Sequence, residues 1–160
     1  MKLYNSITKE LDRLNELSKK KTTCHKTYVG ASIGIIRNEQ YIPLAEGFNS
    51  NPDYNCLEKG CYRIQKFGTD SKKYRPYCKA IHAEENALKN LNTYEDAFVA
   101  VVTRYPCDHC TQLLIDAGVK IVYYGRPFKI SKEAEENFNR HNVLVFHRED
   151  WIGDDNDNNR

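Results

Sequence analysis

Two short stretches of the chain hold side chains that could share one metal ion. "IHAEENAL" carries His82 and Glu84, and "YPCDHCTQLLIDAG" carries Cys107 and Cys110 behind Pro106. On its own, a C-x-x-C pair serves equally as a redox dithiol, a structural disulfide, part of a nucleic-acid-binding zinc finger or half of a catalytic metal site. Each stretch stands where a helical pattern begins, so two neighbouring helices would bring an imidazole and two thiolates together. Zinc favours four nitrogen or sulfur ligands. Three protein ligands leave one position for water, and bound zinc lowers the pKa of that water from roughly 15.7 to about 7. The positive end of a helix dipole also favours the thiolate form of cysteine. Glu84 lies two residues beyond His82. It therefore points differently and suits a proton carrier beside the open position better than a fourth ligand. His109, inside the second stretch, is read as a bystander.

The elements that must position these residues are legible as periodicities. Ile7, Leu11, Leu14 and Leu17 form the stripe of an amphipathic helix. "YVGASIGIIRNEQYIPLAEGFN" reads as two strands joined by the polar turn "RNEQ". Ala83, Ala87, Leu88 and Leu91 share a helical face, and "AFVAVVT" reads as a buried strand. "CTQLLIDAG" reads as a helix closed by Gly118, "VKIVYYG" as a strand, "SKEAEENFNRHN" as a helix capped by Ser131, and "VLVFH" as a last strand. Strands alternating with helices, preceded by a hairpin, predict an α/β fold with a mixed sheet of about five strands between helical layers. One domain is expected over residues 1–153, with an irregular cysteine-bearing insertion at 50–78 and a disordered polar tail at 154–160.

Composition narrows the function. The 160-residue chain has a net charge of +2, too little for a general nucleic-acid-binding face. Its densest basic run, Lys19 to Lys21, reads as a solvated helix end. No apolar run approaches the ~20 residues of a membrane span. The charged start "MKLYNSITKELDRLN" is not a signal peptide. A cytoplasmic protein with no membrane or nucleic-acid partner is expected, in a bacterial or phage-infected host cell. Its six cysteines then read as metal ligands or reactive thiols rather than disulfides.

H-x-E followed by P-C-x-x-C is the signature of zinc deaminases acting on cytosine or adenine. Both halves are present here in that order, with a strand between them. "HAEENAL" and "YPCDHCTQLLIDAGVKIVYY", with the upstream "GFNSNPDYNCLEKGC" and "YCKAIHAE", resemble the deoxycytidylate (dCMP) deaminases of the cytidine deaminase superfamily over about Thr23 to Tyr124. Ser50 stands where that family usually has glycine, Lys79 where arginine is common and Ala80 where threonine is common.

The resemblance implies a three-layer α-β-α sandwich and the conversion of dCMP and water to dUMP and ammonia, which supplies dUMP for thymidylate synthesis. It implies a zinc held by His82, Cys107 and Cys110, with Glu84 moving protons from water to ring N3 and to the leaving amine. It implies that Asn49 bonds the sugar hydroxyl and that backbone groups near Ala83 and Pro106 hold the base edge. A phosphate would need cationic donors, for which Arg104 is the candidate. By the same resemblance, Cys24 and Cys56 match positions that serve a second, structural zinc. Cys61 and Cys78 complete that set and His25 stands in reserve. Buried apolar cysteines are the alternative. Regulation by dCTP and dTTP and assembly into a homo-oligomer such as a hexamer are implied too. The competing functions are deamination of another cytosine nucleotide, a nucleoside, guanine or an RNA base, and a non-catalytic zinc-binding module.

Overall fold

The apolar runs of the sequence become the strands of one five-stranded sheet in a computed structural model. The structure describes residues 2–24, 26–69, 71–127 and 129–150. The expected tail at 154–160, the domain boundary at 153 and the reserve ligand His25 lie outside them. The strands are β1 (Gly30–Arg37), β2 (Gln40–Phe48), β3 (Phe98–Arg104), β4 (Val119–Arg126) and β5 (Leu144–His147), in the order β2-β1-β3-β4-β5. β1 runs antiparallel to β2 and β3, whereas β3, β4 and β5 are parallel, so the sheet is mixed as expected. The β1–β2 turn places Asn38 at φ 53 and Glu39 at φ 60. Left-handed backbone at both central residues gives a turn whose twist matches that of the strands it joins. Pro43 falls in β2, an edge strand, where a missing N–H costs no ladder bond.

Helices cover both faces. α1 (Lys2–Lys21) lays Ile7, Leu11 and Leu14 against Tyr41, Phe48, Val99, Val101 and Tyr123. Lys19 to Lys21 end that helix in solvent, as read from the sequence. On the other face, α4 (Ala83–Asn90), α5 (Asp108–Asp116) and α6 (Lys132–Arg140) bury Ala83, Ala87, Leu114, Ala134 and Phe138 against Ala31, Ile33, Ala100, Val102 and Val122. The result is the expected three-layer sandwich. Ser131 caps α6 by accepting a 3.2 Å bond from the Ala134 N–H. Gly118, at φ 88 just beyond α5, takes the left-handed position that closes that helix.

The insertion, patternless in sequence, holds three short helical pieces: α2 (Cys56–Lys59), α3 (Tyr62–Phe67) and a 3₁₀ turn (Lys72–Tyr77). None is long enough to establish a hydrophobic period. They are held by local chemistry instead: Asn55 accepts from the Leu57 N–H at 2.9 Å, and Phe67 stacks on Tyr74 at 4.2 Å. A bond from the Leu57 N–H to the Thr23 carbonyl (3.1 Å) ties the insertion to the segment that follows α1.

Because β1 is antiparallel to β3, its first residue lies at the same sheet edge as the last residues of β3 and β4. Asn49, which follows β2, and the start of α4 come to this edge as well. A close helix–strand approach occurs at Gly47, where a Cβ would lie closer than 3.0 Å to Ala87 N, Ala83 O and Asn86 C. Asn86 fixes the position of α4 by donating to the Phe48 carbonyl at 2.7 Å and the Ser50 carbonyl at 3.1 Å. Overpacking at such a contact costs about 1–3 kcal/mol. Gly47→Ala should therefore lower the melting temperature by several degrees, at about 2–4 °C per kcal/mol for a domain of this size, in a calorimetric scan. A melting temperature equal to that of the parent would show that α4 can retreat freely.

Candidate metal centre

His82 and Cys107 occupy the same structural position in two different helices. Each is the N-cap residue, His82 of α4 and Cys107 of α5, in extended backbone that leads into the first turn. A bridge between Ser50 and Ile81 (N–H to carbonyl, 3.1 Å) fixes the approach to His82. The buried Tyr105 and Pro106 deliver Cys107 from the end of β3. Cys107 Sγ accepts the Cys110 N–H at 3.5 Å, so the thiol caps its own helix. The helix then turns Cys110, fully buried, back toward the same point.

The two helix starts meet at one ring nitrogen. His82 Nδ1 lies 3.4 Å from Cys107 Sγ and 3.3 Å from Cys110 Sγ. The ligand atoms of His82, Cys107 and Cys110 all lie within 4.8 Å of one another, and among the described residues no other group of three or more such side chains does so. In tetrahedral zinc with Zn–S of about 2.3 Å and Zn–N of about 2.0–2.1 Å, ligand atoms stand roughly 3.5–3.8 Å apart. One imidazole and two sulfurs at this spacing fit zinc in both donor type and distance.

The electrostatics agree with a site built for a cation. The Cys107 thiol is lowered to about 3, first by its hydrogen bond with the Cys110 side chain and then by His82. The Cys110 thiol is pushed up, chiefly by the same contact with Cys107, so the bare pair shares one proton. His82 is raised, first by its hydrogen bond to Cys107. Glu84, in the first turn of α4, is buried, and burial raises its carboxyl above the usual range. The three-ligand group comprises His82, Cys107 and Cys110 and does not include Glu84.

The remaining expected residues divide. Ala83 is buried at the start of α4 and Pro106 beside Cys107, so both lie next to the metal ligands. Asn49 is buried at the sheet edge. Its Oδ1 accepts from the Val29 N–H at 2.8 Å and its Nδ2 donates to the Thr27 carbonyl at 2.9 Å. An amide has two hydrogens and two lone pairs, so one of each remains for a ligand. Arg104 ends β3 within electrostatic reach of Glu84 and Cys107. Cys24, Cys61 and Cys78 all lie near enough to Cys56 to help raise its thiol, although burial raises it most. The structure does not bring three of those four sulfurs within 4.8 Å of one another. Arg126 was not singled out from the sequence. It ends β4 as the register partner of Arg104, a relation visible only once the strands are paired.

Known proteins resemble this chain in sequence and fold. The cytidine and deoxycytidylate deaminase zinc-binding region matches residues 6–126. ComE operon protein 2 of Bacillus subtilis (strain 168) is 32% identical over 131 residues, covering 78% of this chain. The match spans 62% of that relative's own length. The dCMP deaminase of cyanophage S-TIM5, solved in complex with dCMP and dUMP, superposes with a TM-score of 0.65 at 25% identity, covering 88% of this chain and 94% of the other. A guanine deaminase from Nitrosomonas europaea shares the fold at a TM-score of 0.52 and 16% identity, over 86% of this chain and 74% of its own. No described helix is long and apolar enough to cross a membrane. With a match over residues 6–126 that takes in His82, Glu84, Cys107 and Cys110, the chain belongs to the cytidine and deoxycytidylate deaminase zinc-binding family.

Proposed function

We propose that this protein hydrolyses dCMP to dUMP and ammonia. The observation that carries the reading is the meeting of His82 Nδ1 with both cysteine sulfurs while a buried carboxyl, Glu84, stands two residues beyond His82 in the first turn of α4. His82, Cys107 and Cys110 would hold zinc, which supplies an acidified water at neutral pH. Glu84 would take one proton from the attacking water and deliver it to ring N3 as the water oxygen adds to C4. It would then take the second proton, from the new C4 hydroxyl, and deliver it to the exocyclic amine, so that the C4–N bond breaks, ammonia leaves and C4 is left as a carbonyl. Burial suits Glu84 to both tasks, because a carboxyl raised above its usual range is a readier proton acceptor and holds its proton longer before passing it on. Asn49 offers its remaining N–H and lone pair to the sugar, and backbone groups at Ala83 and Pro106 hold the base edge. A deoxynucleotide substrate is supported by the likeness to the cyanophage enzyme that binds dCMP and dUMP. Regulation by dCTP and dTTP, homo-oligomeric assembly and cytoplasmic location belong to the same reading and are supported by the family resemblance.

Glu84→Gln preserves the shape of the side chain and removes its proton chemistry. Turnover of dCMP, followed by ammonia release, should fall by about 10²–10⁴-fold or more, with zinc content and melting temperature unchanged. Full activity in this variant would overturn the enzymatic reading in favour of a zinc-binding module.

A second zinc held by Cys24, Cys56, Cys61 and Cys78 is also part of the proposal. It is supported by the electrostatic effect of Cys24, Cys61 and Cys78 on the Cys56 thiol and by the tie of the insertion to Thr23. Closing such a site would draw the sulfurs together and anchor the insertion. Elemental analysis of the purified protein should find two zinc ions per chain. One ion per chain would reject the second site.

A further inference from the structure

The net charge of +2 is an average that hides a segregation. Residues 54–79 hold seven of the 24 basic side chains and two of the 22 acidic ones, a local excess of five, which leaves the rest of the chain at −3. Five aromatic residues, Tyr54, Tyr62, Phe67, Tyr74 and Tyr77, fall in the same stretch. None of these cations or rings belongs to the metal centre. Lys59, Lys66, Lys72, Lys73, Arg75 and Lys79 are all exposed, and among the described residues no carboxylate pairs with any of them. Like charges crowded on one surface repel one another, and a polyanion laid across them relieves that repulsion.

The rings and the cations are interleaved. A 3₁₀ turn has three residues per turn, so Tyr74 and Tyr77 rise on one side of it. Both meet Phe67 at the end of α3: Tyr74 stacks on it at 4.2 Å and Tyr77 leans on it at 5.0 Å. Tyr77 remains 55% exposed, which leaves ring surface open beside Lys72, Lys73 and Arg75. Pro76 stiffens the backbone that carries it. At the other end of α3, Tyr62 meets the edge of Tyr54 at 5.5 Å. Lys66 and Lys79 lie 5.7 and 4.8 Å from the centre of the Tyr62 ring, and Lys59 lies 5.4 Å from that of Tyr54. Lys79 stands three residues before His82, and the Asn51 amide donates to its carbonyl at 2.6 Å, so the surface ends beside the metal centre.

We infer that the insertion is a binding surface for single-stranded polynucleotide, whose phosphates lie along the unpaired lysines and Arg75 and whose bases stack on the open face of Tyr77. Cations that track a backbone, combined with rings that accept any base, are the two parts such binding needs, and neither reads sequence. A membrane surface is the poorer fit. α2 and α3 have four and six residues, too short for the continuous apolar face by which an amphipathic helix enters lipid. An acidic protein would use the cations and leave the exposed ring without a role. This surface does not depend on the deaminase reading, and it departs from the absence of nucleic-acid partners expected from net charge alone.

The test follows a fluorescent oligothymidylate of about 16 nucleotides by anisotropy as the full chain is added. It contains no cytosine, so the metal centre has nothing to deaminate. The single strand should bind more tightly than a duplex of the same length. With four to six phosphates neutralised, its affinity should fall roughly 50- to 300-fold between about 50 and 200 mM salt. Tyr77→Ala should weaken binding by about tenfold or more, while Tyr77→Phe, which keeps the ring, should bind as the parent does. Replacing Lys72 and Lys73 together by Gln should make the salt dependence shallower by about 1.4 in the slope of log K against log salt, a change that loss of structure elsewhere would not produce. Lys132→Gln, on exposed α6, should change nothing. If the parent does not bind the single strand, or binds the duplex equally well, the inference is overturned. Lys132→Gln weakening binding as much as the insertion variants, or Tyr77→Ala and the Lys72/Lys73 double variant binding as the parent does, would overturn it too. Capture by anionic phospholipid vesicles without capture of the strand would assign the surface to lipid instead.

Discussion

Everything functional in this protein depends on two helix N-termini held side by side, with His82 Nδ1 3.4 and 3.3 Å from the two cysteine sulfurs. The arrangement is unfavourable in isolation. Two helix N-termini bring two partial positive charges together, and a cation between them would add a third. What offsets this is the negative charge of the Cys107 thiolate, whose pKa is lowered by the hydrogen bonds from Cys110 and His82 in the same turns. Cys107 serves twice, because its sulfur caps α5 and faces the metal position at once. The site is thus an electrostatic balance in which the ligands are also the helix caps.

The sheet turns that balance into a fixed geometry. α4 can approach closely because β2 has no side chain at Gly47, and Asn86 then fastens the helix to the Phe48 and Ser50 carbonyls. α5 is placed by β3, whose last residues run directly into Cys107. Burial follows from the same packing. Glu84 is covered because α4 packs on the sheet, and that cover raises its carboxyl above the usual carboxylate range. A more exposed carboxylate on the same helix would stay ionised and be a poorer acid.

The mixed direction of the strands gives the site a second wall. Since β1 runs against β3, the start of β1, the end of β2 and the ends of β3 and β4 all meet at one edge. Asn49 and Arg126 both fasten the segment before β1 there, by bonds to Thr27, Tyr28 and Val29. The metal centre, the Asn49 amide and the paired arginines are therefore neighbours because of topology, although they are far apart along the chain.

The chemistry of the centre was legible in residue order alone. His82, Cys107 and Cys110 are recognisable because a metal ligand set demands particular side chains at short spacings, and short spacings survive in sequence. The strands and long helices were legible for a similar reason, since buried faces impose a period, as Ile7, Leu11 and Leu14 or the run from Phe98 to Val102 show. Ser131 and Gly118 announced their helix ends because capping is a local bond. The short helices of the insertion left no such trace, being too brief for a period and held by single caps and ring contacts. Tertiary structure alone decided that Arg104 and Arg126 stand together, that Asn49 spends half its bonds on Thr27 and Val29, and that Gly47 admits α4. Each of those facts is a contact between segments that share no spacing rule, so only strand register and packing could bring them together.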